Sequence, residues 1–410
     1  MYRTRFLEHP FFGTHSRHKI RLLFGARQTG KTMLLRHGLP RDCTRVFNLQ
    51  EGDLRRRFEA DPAAFRREVL ALPRHITNVA VDEIQKVPAL LEEIQALYDA
   101  APRARQFFLT GSSARRLRTR SANLLPGRSH AFRIHPVCGW EMAGHEEIEI
   151  PPAARPGVRA TAVPFRQGSL DRTLRLGCLP GVLGEAPPRA ALTLASYVET
   201  YLEEEIRREA LVRDMGPFIV FLRLAGAESG RQLNLAKLSQ ETGIPASTLK
   251  IYYQVLVDSF VGHWLLPYAR RSRKRLLSTP RFYFFDLGVR NAAAELPLDA
   301  PVASEGGGVL LEHWVAQELV ARASYAGRGY RVSFWRTSTG VEVDFVWETP
   351  KGDLPIEVKW TERPRPQDAR HLEKFLDEYP TRARRGLLVC RCPEPQQLTD
   401  RVRAIGWERL

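Results

Sequence analysis

Ile20-Arg21-Leu22-Leu23-Phe24-Gly25-Ala26-Arg27-Gln28-Thr29-Gly30-Lys31-Thr32-Met33-Leu34-Leu35 joins an apolar run, a glycine-bounded turn and the start of a helix. Residues 25–32 fit G-x-x-x-x-G-K-[ST], with the strand before and the helix after that the pattern needs. Gly25 and Gly30 free the backbone N–H groups of Gly25, Ala26, Arg27, Gln28, Thr29, Gly30, Lys31 and Thr32 to turn inward around phosphates. Lys31 supplies a point charge to the β and γ oxygens, and the Thr32 hydroxyl is a ligand for Mg²⁺. ATP and Mg²⁺ are the cofactors this stretch implies.

Downstream, Ile76-Thr77-Asn78-Val79-Ala80-Val81-Asp82-Glu83 is an apolar strand ending in adjacent carboxylates. Asp82 is expected to hold Mg²⁺ through water and Glu83 to polarise the attacking water, a pairing that favours hydrolysis over binding alone. Phe107-Phe108-Leu109-Thr110-Gly111-Ser112-Ser113 is a further apolar strand ending in hydroxyls. With this strand inserted beside the phosphate loop, Ser112 faces the γ-phosphate as a sensor; a helix N-cap is the competing reading for Ser112 and Ser113. The runs Ile20–Phe24, Val46–Leu49, Ile76–Val81, Gln106–Thr110 and Ala131–Ile134 alternate with amphipathic stretches, which predicts a parallel α/β sheet covered by helices.

Beyond a Pro- and Gly-containing stretch from Gly144 to Pro164, the pattern turns helical. Ala191–Leu211, with Tyr197, Tyr201 and Leu202 on one face, reads as a helical lid. Leu235, Leu238 and Ile244 surround a turn at Thr242-Gly243, followed by a second helix over Ser247–Asp258. The strand-like runs Trp264–Tyr268 and Phe282–Phe285 come next, with Arg270, Arg271, Arg273, Lys274 and Arg275 between them. A helix-turn-helix followed by a basic hairpin predicts a DNA-binding winged helix. A helix over Leu310–Ala323 then precedes strands near Tyr330–Trp335, Val341–Trp347 and Pro355–Trp360. The expected domains are 1–165, 166–230, 231–290 and 291–410.

In the last of these, Asp344 lies in one strand and Glu357-Val358-Lys359 in the next. Strand alternation puts Glu357 and Lys359 on one face, and an adjacent strand places Asp344 beside Glu357. Asp344 and Glu357 would form a carboxylate pair for a second Mg²⁺, with Lys359 near the attacking water. Three charged residues on a solvent-facing strand would produce the same letters.

The 410 residues are enough for two to four domains, and no run of about 18 apolar residues is present to span a bilayer. The five cysteines (Cys43, Cys138, Cys178, Cys390, Cys392) are odd in number and scattered, and the first residues lack the apolar core of a signal peptide. A reducing, cytoplasmic location is expected, with Cys390 and Cys392 as buried thiols on a strand. Against 46 Asp plus Glu stand 62 Lys plus Arg, a net charge of +16. That surplus suits a polyanion such as DNA, although an arginine-rich surface from a GC-rich genome would give the same balance.

Taken together, GARQTGKT, VDEIQ, LTGSS and Gly127-Arg128 resemble the predicted AAA+ superfamily ATPases of bacteria and archaea that carry a C-terminal domain of unknown function. The resemblance implies a homo-oligomeric ring in which Arg128 reaches a neighbour's γ-phosphate; a surface or phosphate-binding arginine is the alternative. Tyr197-x-x-x-Tyr201 and Phe284-Phe285-Asp286-Leu287-Gly288 match as well, whereas Gly177-Cys178-Leu179-Pro180 has Cys178 where a glycine is expected. The C-terminal D-x(n)-E-x-K pattern is similar to that of PD-(D/E)XK nucleases, with Glu312 at the position of their additional acid, and implies a restriction-endonuclease-like domain. The function expected is an ATP-hydrolysing motor remodelling or translocating DNA, including branched DNA of the kind met in branch migration, repair and recombination. The alternatives are an ATP-controlled signalling or defence switch acting on a protein partner, and an ATP-gated nuclease.

Overall fold

In a computed structural model of the chain, residues 2–113, 125–142, 149–150, 164–166, 168–202, 215–268, 279–302 and 304–410 are described. The five N-terminal apolar runs become β1 (Ile20–Phe24), β2 (Thr44–Asn48), β3 (Asn78–Asp82), β4 (Gln106–Gly111) and β5 (Ser129–Arg133). They form one sheet in the order β2-β3-β4-β1-β5, and every pairing is parallel. Apolarity follows position in the sheet: all five residues of interior β1 are buried, while the edge strands β2 and β5 are mostly exposed or half-buried. Helices α1 (Glu8–Phe12), α2 (Lys31–Gly38), α3 (Gly52–Ala60), α4 (Pro62–Ala71) and α5 (Leu90–Ala100) accompany this sheet. The start of α4 is fixed by Asp61, whose side chain accepts from Ala64 N, and by Pro62 in the first turn. Phe47, Phe58 and Phe65 pack ring against ring at 5.0–5.9 Å between centroids. Because β4 lies between β1 and β3, the phosphate loop, Asp82 and Ser112 all emerge at the same rim, where ligands bind in parallel sheets.

The described chain divides into two compact units, the first built chiefly on Met1–His135 and the second on Phe165–Val257 and Val261–Leu410. The second contains α6 (Leu170–Leu176), α7 (Pro187–Ser196) running into a π-helical turn at Tyr197–Leu202, and α8 (Met215–Ala227). Next come α9 (Leu235–Thr242) and α10 (Ala246–Asp258), the expected helix-turn-helix pair. Asn234 caps α9 through Lys237 N at 3.0 Å, and Gly243, at φ +71°, ends it. Strands β6 (Gly262–Pro267) and β7 (Arg281–Phe284) form the antiparallel hairpin, followed by α11 (Leu287–Ala293) and α12 (Ser304–Ala326). The unit closes with β8 (Arg331–Arg336), β9 (Glu342–Thr349), β10 (Gly352–Val358), α13 (Arg370–Glu378), β11 (Gly386–Cys390), β12 (Gln396–Gln397) and β13 (Val402–Gly406).

These strands make one sheet, β12-β13-β11-β10-β9-β8-β6-β7. Leu266 and Pro267 of β6 pair in parallel with Ser333 and Phe334 of β8. The hairpin expected as a wing therefore extends the C-terminal sheet, and the expected limit at 290/291 falls inside one hydrogen-bonded layer. Strand alternation sorts the two faces: Leu387 and Val389 join the core with Leu311, Val315 and Leu319 of α12, whereas Leu388 and Cys390 join Leu372, Phe375 and Leu376 of α13.

Two of the family-like motifs interlock here for packing reasons. Asp286 accepts from Val289 N at 3.1 Å, capping α11, and from Cys178 N at 2.8 Å. Gly177 has φ +67°, and a Cβ there would collide with Asp286; a Cβ on Gly288 would collide with the Leu176 carbonyl. Burial pushes the Asp286 carboxyl up to about 6. Cys178 is fully buried beside this contact, and its side chain fits where the glycine was expected.

Candidate active site

The phosphate loop is folded by its own polar groups. Gly25 has no room for a side chain, since a Cβ would lie 2.5 Å from Ile134 O. Gln28 (φ 60°) and Gly30 (φ 96°) take left-handed conformations that bend the loop into the first turn of α2. Thr29 Oγ1 donates to Ala26 O at 2.8 Å, and the buried Lys31 ammonium donates to Gly25 O at 3.0 Å and Ala26 O at 2.9 Å. The lysine thus lies folded across the mouth of the loop.

At the end of β3, Thr32 Oγ1 donates to Asp82 Oδ2 at 2.8 Å, while Thr110 donates to Asp82 Oδ1. Two hard oxygens facing each other suit Mg²⁺, which takes oxygen ligands. Glu83 sits at φ 61°, turned off the strand, with its N–H donated to Thr110 Oγ1 at 3.0 Å. Its Oε2 accepts from Ser112 Oγ at 3.0 Å and from Gln85 Nε2, and Gln85 also donates to Ser112 Oγ at 2.7 Å. Burial pushes the Glu83 carboxyl up, but Lys31 and the hydrogen bonds from Gln85 and Ser112 outweigh it, so the pKa lies below the usual carboxylate value. Glu83 is therefore a buried carboxylate held ionised, in reach of the loop's charge.

The C-terminal acids also converge. The antiparallel register pairing Ile356 with Phe345 brings Glu357 alongside Asp344, and Val358 N donates to Asp344 Oδ2 at 2.8 Å. Lys359 Nζ donates to Glu357 Oε1 at 2.8 Å, and His371 Nδ1 lies 3.8 Å from the same oxygen. On α12, Glu312 accepts from Tyr283 Oη at 2.8 Å and Arg281 at 3.2 Å. Burial and the Asp344 charge push Glu357 up to about 8 and Glu312 up to about 7, and burial also raises Asp344. Glu357 Oε2 is buried without a hydrogen-bond partner and borders a cavity of about 260 Å³ lined also by Lys359, Gln367, Asp368, Arg370 and His371. Among the described residues, no group of three or more His, Cys, Asp or Glu side chains is arranged to hold a metal ion. A cation here would rest on the pair Asp344 and Glu357, and the orphaned oxygen fits that use.

Comparison with known proteins agrees with the nucleotide-site geometry. Residues 17–143 match the family model described as an AAA domain. Residues 17–143 form an AAA-type P-loop ATPase domain. Two domains of unknown function follow it, DUF8612 over residues 167–300 and DUF4143 over 307–410. The uncharacterized proteins Mb2031c of Mycobacterium bovis and Rv2008c of Mycobacterium tuberculosis are each 24% identical over 347 residues, covering 84% of this chain and 70% of theirs. The Walker-type ATPase PABY2304 of Pyrococcus abyssi is 17% identical, with a TM-score of 0.42 over 67% of this chain and 90% of that one. The protein is a P-loop ATPase that uses ATP and Mg²⁺.

Within the AAA domain, Arg128 stands apart from the loop. It makes a two-pronged ion pair with Asp99, at 2.6 and 2.9 Å. It precedes β5, whose Ser129 pairs with Ile20 at the start of β1, whereas the phosphate loop follows the end of β1. Five strand residues separate the two ends by roughly 16 Å, so Arg128 does not reach the loop of its own chain. The basic residues Arg270, Arg271, Arg273, Lys274 and Arg275 lie outside the described residues. Among the described residues, no helix is long and apolar enough to cross a membrane, and all five cysteines are free. Sequence reading missed Thr110, Gln85 and Arg5, each bonded to a residue of the site; the polar Thr110 and Gln85 beside buried apolar runs were the available signal.

Proposed function

We propose that this ATPase is an oligomeric motor that acts on DNA, with its DUF4143 region gripping or cutting the strand as a nuclease-like domain. In the motor, Lys31 and the amides of residues 25–32 hold the phosphates, Thr32 and Asp82 hold Mg²⁺, Glu83 orients the attacking water, and Ser112 positions Glu83 and senses the γ-phosphate. Mg²⁺ there supplies charge neutralisation at the phosphate oxygens. Arg128 serves a neighbouring subunit's site in a ring. The DNA-binding elements are the helix pair α9–α10 as a helix-turn-helix and the basic segment 270–275; residues 166–230 act as the lid.

The observation that carries the DNA reading is the convergence of Glu312, Asp344, Glu357 and Lys359, which span 48 residues of chain, around the buried Glu357 carboxyl. Such acids raise one another's pKa, which a divalent cation on a phosphodiester substrate would relieve. The test is ATP turnover with single-stranded, duplex, forked and four-way-junction DNA at two salt concentrations. Stimulation that weakens with salt is expected, since phosphate contacts displace counterions. Turnover indifferent to every DNA form would reject the motor. It would favour an ATP-controlled switch on a protein partner, a reading supported by the exposed Ile219 and Val220 of α8 and Ile251 of α10. Mg²⁺-dependent cleavage lost in Asp344→Ala but retained in Lys31→Ala would instead identify an ATP-gated nuclease.

A further inference from the structure

We propose that Arg5, outside every motif of the ATPase, is a positioning residue that holds the phosphate loop in its ligand-ready shape. Arg5 is only 3% exposed. Its Nη1 donates to Thr29 O, in the middle of the loop, at 2.6 Å, and its Nη2 donates to His135 O, just after β5, at 2.7 Å. Ile134 N in turn donates to Phe24 O at 2.8 Å, so the guanidinium ties the loop to the backbone that frames its own strand.

The consequence follows from the geometry of a single peptide group. The Thr29–Gly30 unit is planar and trans, so its carbonyl and its N–H point to opposite sides. Fixing Thr29 O on the Arg5 side fixes Gly30 N–H on the other. Gly30, at φ 96°, has no Cβ to resist rotation of that unit, so the glycine that lets the loop bend also lets this peptide flip. A flip would present a carbonyl oxygen where an amide donor belongs and would repel phosphate. Two short charge-assisted bonds from a rigid, planar guanidinium oppose it. The same charge adds to those of Lys31 and Arg27 around the phosphate position.

Holding the N-terminal segment in place is the rival role, and it is separable. Glu8 also secures that segment, accepting from Arg5 N at 2.9 Å and from Tyr2 Oη at 2.6 Å, without touching the loop. The experiment compares Arg5→Lys, Arg5→Met and Glu8→Gln in the full chain, measuring Mg-ATP affinity by calorimetry, kcat and KM. Arg5→Lys retains charge but not the two-carbonyl fork; it is expected to raise Kd and KM about tenfold, with kcat at saturation within about twofold, because bound phosphate itself restores the loop. Arg5→Met is expected to lose more affinity, and Glu8→Gln to bind as wild type. Wild-type affinity in Arg5→Lys and Arg5→Met overturns the proposal, as does an equal loss in Glu8→Gln. Should Arg5→Met fail to fold, the Arg5→Lys and Glu8→Gln comparison decides alone.

Discussion

Glu83 illustrates how one side chain is tuned by its surroundings: burial opposes its charge, while Lys31, Gln85 and Ser112 restore it. Glu83→Gln is expected to keep Mg-ATP binding and lose turnover by about a hundredfold or more, read from single-turnover hydrolysis. Lys31→Ala should instead weaken binding itself, seen as lost heat in calorimetry. The raised acids of the second unit respond to pH in the other sense. A carboxyl whose folded pKa exceeds its unfolded value favours the folded state at low pH and gives up that advantage as pH rises. For Asp286 the window runs from 3.8 to about 6, and for Glu357 from 4.5 to about 8. Asp286→Asn should flatten the fall in thermal midpoint across the lower window and Glu357→Gln across the upper. Unchanged slopes in both would remove burial as the cause.

Among the elements, the contact between α6 and α11 is the most sharply specified, because two glycines and one aspartate leave no slack. Gly288→Ala is expected to destabilise the second unit by roughly 1–3 kcal/mol, measured by denaturant unfolding, since the added methyl meets the Leu176 carbonyl. This contact also marks what the letters reveal. Phe284–Gly288 and Gly177–Pro180 stand out in the sequence, but that they grip each other is a tertiary fact, because residues 108 apart in the chain carry no local sign of pairing. The phosphate loop and Asp82-Glu83 were legible for the opposite reason: each chemistry needs adjacent residues on a strand end, so spacing alone locates them. β2 and β5 are legible to within two residues at either end, their edges blurred by exposed side chains. Arg5 was illegible, since a lone arginine near the chain start reads as solvated surface.

At the scale of the molecule, the end of the sheet that carries Arg128 is the one remote from the phosphate loop. If the arginine serves hydrolysis it does so in another copy, and Arg128→Ala should lose turnover while keeping ATP binding. Mixing Arg128→Ala with Lys31→Ala subunits should then recover part of the activity, because some interfaces regain one intact lysine and one intact arginine. Mixtures no more active than their separate components would rule out the shared site. The eight-stranded sheet has a different consequence, for dissection of the chain. A fragment starting at residue 301 leaves β6 and β7 behind and strips β8 of its neighbour, exposing a raw row of amides and carbonyls. Such a fragment should precipitate or recruit foreign strands, whereas one beginning near Phe165 carries its own selvage.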